Sequence, residues 1–431
     1  MAVPYPRYRS ACGWNAILPP RAPRTAPPPP GRIDSIVIGA GYAGLAAARR
    51  LAELRPDEQV LILESGQVGE NASGRNAGLI VSVPHNFPAS VGASAGSRPP
   101  QFEIFAEGME RFAGQVRELG IECGWNPADK LYAAATTDGE AALARNMANY
   151  ARWKVGFKPL GREALRARIG TDYYRSGFAS GQNVYVQPAA LVRGLADTLP
   201  ANVWLMEESP VLALTGDGPY VLRTEQGEFR APRVILANNG FAKSLGFLRS
   251  RLVTIFTYAG LTPVLPAEEL AKLGAPGEWG VLPAARLGTT LRRTGDGRML
   301  VRSAYSYEHE ASIEAMATML SSLYRARYPA MASHGFEHVW GGATALTRNG
   351  AAYFGELRPG LFSAAGCNGS GILKNSVNGR LLAELALDHR SPALEKTLAL
   401  TGPNWMPPEP FRRLAAMTAI RYQARRAGAE R

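Results

Sequence analysis

The sequence predicts a mixed α/β fold, a helix-covered parallel sheet interleaved with antiparallel strands. Three observations predict it: a strand, glycine turn, helix and strand from Ile33 to Glu64; a second strand, glycine turn and helix after Leu361; and alternating segments with short turns between them.

Each position of the first unit has a mechanical reason. Ile36-Val37-Ile38 is a short apolar run of the kind a parallel sheet buries on both faces. Gly39, Gly41 and Gly44 then fill a GxGxxG pattern, with Tyr42 and Ala43 inside it. Gly39 permits a tight turn, Gly41 lets backbone approach a pyrophosphate, and Gly44 lets the helix pack on the strand. The helix start points free N–H groups and a positive dipole end at phosphate. Val60 to Leu63 form the next strand. Glu64, 20 residues beyond Gly44, can accept hydrogen bonds from ribose hydroxyls and disfavours a 2′-phosphate; Ser65 adjoins it. The unit reads as a dinucleotide site, and the motif alone does not separate NAD from FAD.

Residues 1–31 carry Pro19, Pro20, Pro23 and Pro27 to Pro30 without amphipathic period, which predicts an extended arm. Tyr5, Tyr8 and Trp14 imply that the arm packs. Residues 86–100 read as a Gly/Ser/Pro-rich loop, Phe102 to Leu119 as an amphipathic helix, Trp125 to Ala135 as a strand and 138–154 as another helix. Val203 to Met206 is a strand candidate. Val211 to Leu214, Tyr220 to Thr224 and Glu228 to Arg230 form a small meander, and Arg233 to Ala237 is a buried strand. Residues 251–264 and 286–307 are strand-like with a hairpin at Thr294 to Gly297, and 311–327 is helical. Trp340-Gly341-Gly342 precedes a loop, and Leu361 to Ala365 is a strand. Gly366-Cys367-Asn368-Gly369-Ser370-Gly371 leads into a helix from about Asn375 to Asp388, a turn whose amides can bind an anionic or carbonyl-bearing ring.

With 431 residues, 46% hydrophobic and 19% charged, the chain holds two domains around a substantial core. No apolar run approaches the roughly 20 residues needed to cross a bilayer, so a cytoplasmic protein is expected. Cys12, Cys123 and Cys367 are scattered without CxxC spacing, and neither a disulfide framework nor a metal site is expected. The net charge of +12 is spread along the chain, which argues against nucleic-acid binding. Arg412, Arg413, Arg421, Arg425, Arg426 and Arg431 make the last stretch basic, a solvated helix that could also touch anionic lipid.

The segment Ala72-Ser73-Gly74-Arg75-Asn76-Ala77-Gly78, directly after the Glu64 strand, resembles the ASGRNGG segment of the gamma-glutamylputrescine oxidase branch of the D-amino acid oxidase-like flavoproteins. Ser209-Pro210-Val211, Val234 to Ala237, and Gly366 to Gly379 agree with it. The resemblance implies a FAD-binding Rossmann-like domain interleaved with an antiparallel-sheet substrate domain, and FAD as the cofactor. Residues 32–85, 155–240 and 335–395 would form the first, 86–154 and 241–334 the second, and 396–431 a basic helical tail. Gly39, Gly41 and Gly44 would hold the pyrophosphate and Glu64 the ribose, with Ser73 to Gly78 on the path to the flavin. Val211 would lie toward the adenine end, Gly369, Ser370, Gly371 and Ile372 would cover the pyrimidine side of the ring, and Ala237 and Gly366 would also bind the cofactor.

Departures from the family matter equally. Trp340 to Thr344 contains no cysteine where some relatives attach flavin covalently, and Asn76 stands where others have histidine, so non-covalent FAD is expected. Glycine oxidase-like members hold a substrate carboxylate with an arginine at the position of Thr344. Arg302 is the alternative cation, with Tyr258, Tyr305, Tyr307 and Trp340 as wall candidates and His85 as a candidate base. The implied reaction oxidises a C–N bond of an amine or amino acid by hydride transfer to flavin N5, followed by hydrolysis. Electrons would pass to O2, a quinone or a carrier protein. A biosynthetic tailoring flavoenzyme is the further alternative.

Overall fold

A computed structural model describes residues 5–83, 99–331 and 334–431; the residue His85 and most of the expected loop 86–100 lie outside them. Apolar runs too short for helices form a six-stranded sheet. Its order is Tyr353–Arg358, Leu361–Ala365, Arg233–Leu236, Ser35–Ile38, Val60–Leu63 and Val203–Met206, parallel except for the Tyr353–Arg358 edge. All four residues of Ser35–Ile38 and of Val60–Leu63 are buried, as a sheet covered on both faces requires. Helices Tyr42–Leu54 and Gly371–Ala386 cross each other on one face, packed with the helix Gln101–Glu118 around Leu45, Phe105, Phe112, Leu373 and Leu381. The meander Ala213–Thr215, Tyr220–Arg223 and Glu228–Ala231 covers part of the opposite face.

The second layer is an eight-stranded sheet. Its order is His338–Leu346, Val253–Leu261, Met299–Tyr307, Thr290–Arg293, Trp279–Pro283, Lys130–Ala134, Ser176–Ser180 and Lys158–Gly161. Only Trp279–Pro283 and Lys130–Ala134 pair in parallel. A bulge interrupts the pairing at Thr257/Tyr258, opposite Ala304, a non-glycine residue at φ +58; bulges of this kind re-aim side chains.

Several expectations change. Trp125 to Ala135 splits into Asn126–Pro127 and Lys130–Ala134, in different sheets, because Pro127 lacks the N–H that would continue a ladder. Trp340-Gly341-Gly342 lies within a strand. Its glycines serve close approach, since a Cβ at Gly341 would come 2.3 Å from Glu310 Oε1. The final glycine turn runs straight into its helix at Gly371, four residues before the expected Asn375. Lys158–Gly161 and Ser176–Ser180, expected with the cofactor segment 155–240, extend the eight-stranded sheet, where the edge of Lys130–Ala134 needs antiparallel partners. His338–Leu346, within the expected segment 335–395, pairs there too. The arm is not wholly extended: Gly13–Ala16 is a helical turn burying Cys12 and Trp14.

Candidate active site

The two sheets face each other across a cleft of ≈ 280 Å³. From the parallel layer come Gly39, Gly41, Tyr42, Ala43, Glu64, Ser65, Ser73, Arg75, Asn76, Ala77, Ala237, Gly369, Gly371 and Ile372. Thus both glycine turns and the segment after Glu64, remote in sequence, meet in one wall. Gly39 sits at φ +105, and a Cβ on Gly44 would come 1.8 Å from Gly39 O, so the turn and the helix contact both require glycine. A Cβ on Gly41 would lie 2.7 Å from Ser73 Oγ. That hydroxyl accepts from the Tyr42 N–H at 3.3 Å.

Glu64 is buried at the end of its strand. Burial lifts its carboxyl above the ordinary range, opposed by the donors around it. The Ala40 N–H reaches Oε2 at 2.6 Å; Ser65 Oγ at 3.0 Å, the Gly66 N–H at 3.1 Å and Asn71 Nδ2 at 2.6 Å reach Oε1. Asn238 Oδ1, buried in the cleft wall, has no hydrogen-bond partner among the described residues. A glycine cradle at a helix start, a carboxylate 20 residues beyond it and an orphaned amide oxygen together fit a dinucleotide carrying a polar ring.

Other expected residues shape the wall from behind. Arg75 Nη1 and Nη2 donate to Gly341 O at 2.9 Å and Ser10 O at 2.8 Å, and its Nε donates to Glu70 O. It is therefore the clamp between arm, turn and antiparallel sheet. Asn76 Nδ2 donates to Ser73 O at 2.6 Å, and its Oδ1 accepts from the Gly78 N–H at 2.8 Å. Gly74 closes the turn, where a Cβ would meet Gly69 O at 1.9 Å, and Gly366 adopts φ +89. Ser370 precedes the helix Gly371–Ala386 without capping it by its side chain. Val211 is not in the cleft wall; it packs in the core with Leu63 and Met206.

The antiparallel layer contributes Thr257, Tyr258, Thr290, Arg302, Ala343 and Thr344. Arg302 is half-buried, its Nη1 lies 3.4 Å from Tyr305 Oη, and it pairs with no carboxylate among the described residues. The Tyr258 hydroxyl is engaged away from the cleft, 2.6 Å from Ser306 Oγ and accepting from the Ala311 N–H. Tyr305 does not line the cleft; it packs with Val253, Ile255 and Met406.

Sequence reasoning missed Arg292, Trp14 and Cys367 as supports of the cleft and named Trp340 only as a wall candidate. Arg292 reaches Ala77 O at 2.8 Å and Val186 O at 2.8 Å while paired to Glu278 at 2.6 Å. Trp14 and Trp340 donate to Asn76 O at 2.8 Å and Arg75 O at 3.1 Å. Cys367 lines the cleft beside Thr344, whose Oγ1 is 3.2 Å from Sγ, and accepts from Asn239 Nδ2 at 3.3 Å. Burial opposes ionisation of that thiol, but hydrogen bonds from Thr344, the Gly369 N–H and Asn239 outweigh it and hold it below the usual thiol value. Only the glycines around Cys367 marked that position in the sequence.

The family model for FAD dependent oxidoreductases, DAO, matches residues 34–385. The chain belongs to this family. It is an oxidoreductase and a FAD-binding flavoprotein. This flavoprotein is 27% identical over 389 residues to a "Probable oxidoreductase OrdL" of Rhizobium meliloti, covering 87% of each chain. It is 27% identical over 358 residues to the gamma-glutamylputrescine oxidoreductase of Escherichia coli, covering 82% of this chain and 83% of that one. Among solved structures, glycine oxidase from Geobacillus kaustophilus superposes with a TM-score of 0.71 at 21% identity, covering 83% of this flavoprotein and 95% of that chain. No helix among the described residues is long and apolar enough to cross a membrane.

Proposed function

We propose that this flavoprotein oxidises a C–N bond of a small amine that carries a carboxylate, releasing an imine that water hydrolyses. One observation carries the reading: the cleft that joins both glycine turns also holds Arg302, a half-buried cation with no carboxylate partner among the described residues. When bound, FAD supplies the two-electron acceptor for the hydride of the carbon bearing nitrogen. Gly39, Gly41 and the start of the helix Tyr42–Leu54 would hold the diphosphate, Glu64 the ribose, and Gly369 to Ile372 the polar edge of the ring. Helix N–H groups there favour negative charge on that edge. Arg302 would orient the carboxylate, and Thr257, Tyr258 and Leu282 would exclude water. The similarity to gamma-glutamylputrescine oxidoreductase and to the glycine oxidase of Geobacillus kaustophilus, 27% identical over 381 residues, supports the substrate class.

The attachment is assigned as non-covalent, with the Cys367 thiol engaged by Thr344 and Asn239. The three free cysteines suit the reducing cytoplasm. The exposed face of the helix Phe411–Ala427 is assigned to peripheral contact with an anionic membrane.

Anaerobic titration with a panel of amines and N-alkyl amino acids tests the reaction; a flavin spectrum that no member bleaches overturns it. Arg302→Met is expected to raise KM for carboxylate-bearing substrates by about tenfold to a hundredfold, the loss of a charge-assisted hydrogen bond, with FAD affinity unchanged. Peroxide formed during aerobic turnover identifies O2 as acceptor; dye reduction without peroxide identifies a dehydrogenase.

A further inference from the structure

The arm before the family-matched segment does more than pack. Pro6 and Tyr8 line the cleft together with Arg302 and Ala343. Tyr8 lies against the antiparallel layer: its ring is edge-on to Phe256 with centroids 6.0 Å apart. The Arg75 guanidinium stacks on it with 3.7 Å between Cζ and the ring centroid.

Neighbouring contacts fix Tyr8 on both sides. The Arg9 N–H donates to Glu310 Oε2, while Glu310 Oε1 accepts from the Gly341 N–H at 3.1 Å. Ser10 O accepts from Arg75 at 2.8 Å, and Trp14 donates to Asn76 O. A side chain pinned by its backbone on one side and stacked on an immobile cation is pre-organised for a ligand.

The hydroxyl itself is only half used. Tyr8 Oη accepts a long contact from the Ala343 N–H at 3.5 Å, and no acceptor for its proton is present among the described residues. Burial, partly offset by Arg75, pushes the phenol up to about 12, so it stays a neutral O–H donor across physiological pH.

We propose that Tyr8 is a substrate-positioning residue: the N-terminal arm completes the cleft, and the Tyr8 hydroxyl donates a hydrogen bond to an acceptor oxygen of the bound substrate. The inference deepens the amine-oxidation reading and rests on the same cleft. Its ligand class is an amine bearing a carboxylate or carbonyl oxygen, and Arg302 supplies the charge that Tyr8 lacks.

Tyr8→Phe tests this in the full-length holoenzyme, because it keeps the ring stack on Arg75 and removes only the donor. KM for the substrate found by anaerobic titration is expected to rise roughly threefold to tenfold, the range for one neutral hydrogen bond, with kcat changed less than twofold. A second readout needs no turnover: benzoate, an unreactive carboxylate, is titrated against the flavin absorbance. Its dissociation constant is expected to rise by the same factor in the variant. Fluorescence titration of the apoprotein with FAD is expected to give equal affinity for both proteins. Unchanged KM and unchanged benzoate affinity overturn the proposal, as does a wild type that benzoate does not perturb. Weakened FAD binding in Tyr8→Phe overturns it too, by placing the hydroxyl against the cofactor. If no amine reduces the wild type but benzoate binding still depends on Tyr8, the catalytic reading fails and the positioning role stands.

Discussion

At the scale of single residues, two buried titratable groups carry opposite consequences. Glu64 is surrounded by four donors, so exchanging it for an amide inverts part of that lattice: Gln offers N–H where the Ala40 N–H or Asn71 now donates. Glu64→Gln should weaken FAD binding by about tenfold to a hundredfold, roughly 1.4–3 kcal/mol for a charge-assisted contact, measured by fluorescence titration of the apoprotein. Lys130 is fully buried, lies 5.3 Å from the Tyr132 ring centroid and, among the described residues, donates only to Val83 O at 3.3 Å. Burial lowers its amine to about 7, whereas an unfolded lysine titrates near roughly 10.4. Between those values the unfolded chain binds more protons, so stability falls as pH drops from about 10 to about 7 and the penalty is complete below that window. Lys130→Met should flatten the wild-type loss of urea midpoint across it. An unchanged slope would show that the lysine is not neutral in the fold.

At the scale of elements, the two helices that begin at the cleft cross on glycine. A Cβ on Gly379 would come 2.0 Å from Ala43 O, at the first turn of the helix that begins the dinucleotide unit. Gly379→Ala must separate the helices, an overpacking cost of about 1–3 kcal/mol, and displaces both helix starts from the cleft. A lower denaturant midpoint together with weaker FAD binding is the expected result. Gly114→Ala is the contrast. Among the described residues its Cβ would meet only Glu118 Oε1 at 3.8 Å, so alanine in that helix should be neutral or stabilising by up to about 1 kcal/mol.

At the scale of the molecule, charge and exposed apolar surface coincide at the C-terminal helix. Phe411, Leu414 and Tyr422 are 66%, 69% and 55% exposed along its outer face, beside Arg421, Arg425 and Arg426. Its inner face is anchored, with Ile420 against the cluster that contains Tyr305 and Tyr307. The buried Glu430 accepts from the N–H groups of Ala135 and Thr136 at 2.7 and 2.8 Å. A fixed helix with aromatic and arginine residues outward suits an anionic lipid surface. Co-sedimentation with vesicles containing anionic lipid should occur at low salt, fade with added salt, and be lost in the Arg421→Glu, Arg425→Glu, Arg426→Glu triple variant. Equal binding to neutral vesicles would refute an electrostatic contact.

The sequence by itself determined the dinucleotide unit, because Ile36 to Glu64 is local: strand, turn, helix and acid are contiguous, and each residue type follows from backbone sterics and the helix dipole. The turn at Gly366 to Gly371 and the hairpin at Thr294 to Gly297 were legible for the same reason. Only the tertiary structure decided which distant segments share the cleft. Trp340 and its glycines read as the approach to a loop but form an edge strand of the eight-stranded sheet, since their meaning lies in the closeness of Glu310 and Arg75. Arg292 carries no local signal, Cys367 only its flanking glycines, and Tyr8 only the aromatic character of the arm. Their roles arise from pairings across more than 20 residues, which chain folding specifies and residue spacing does not.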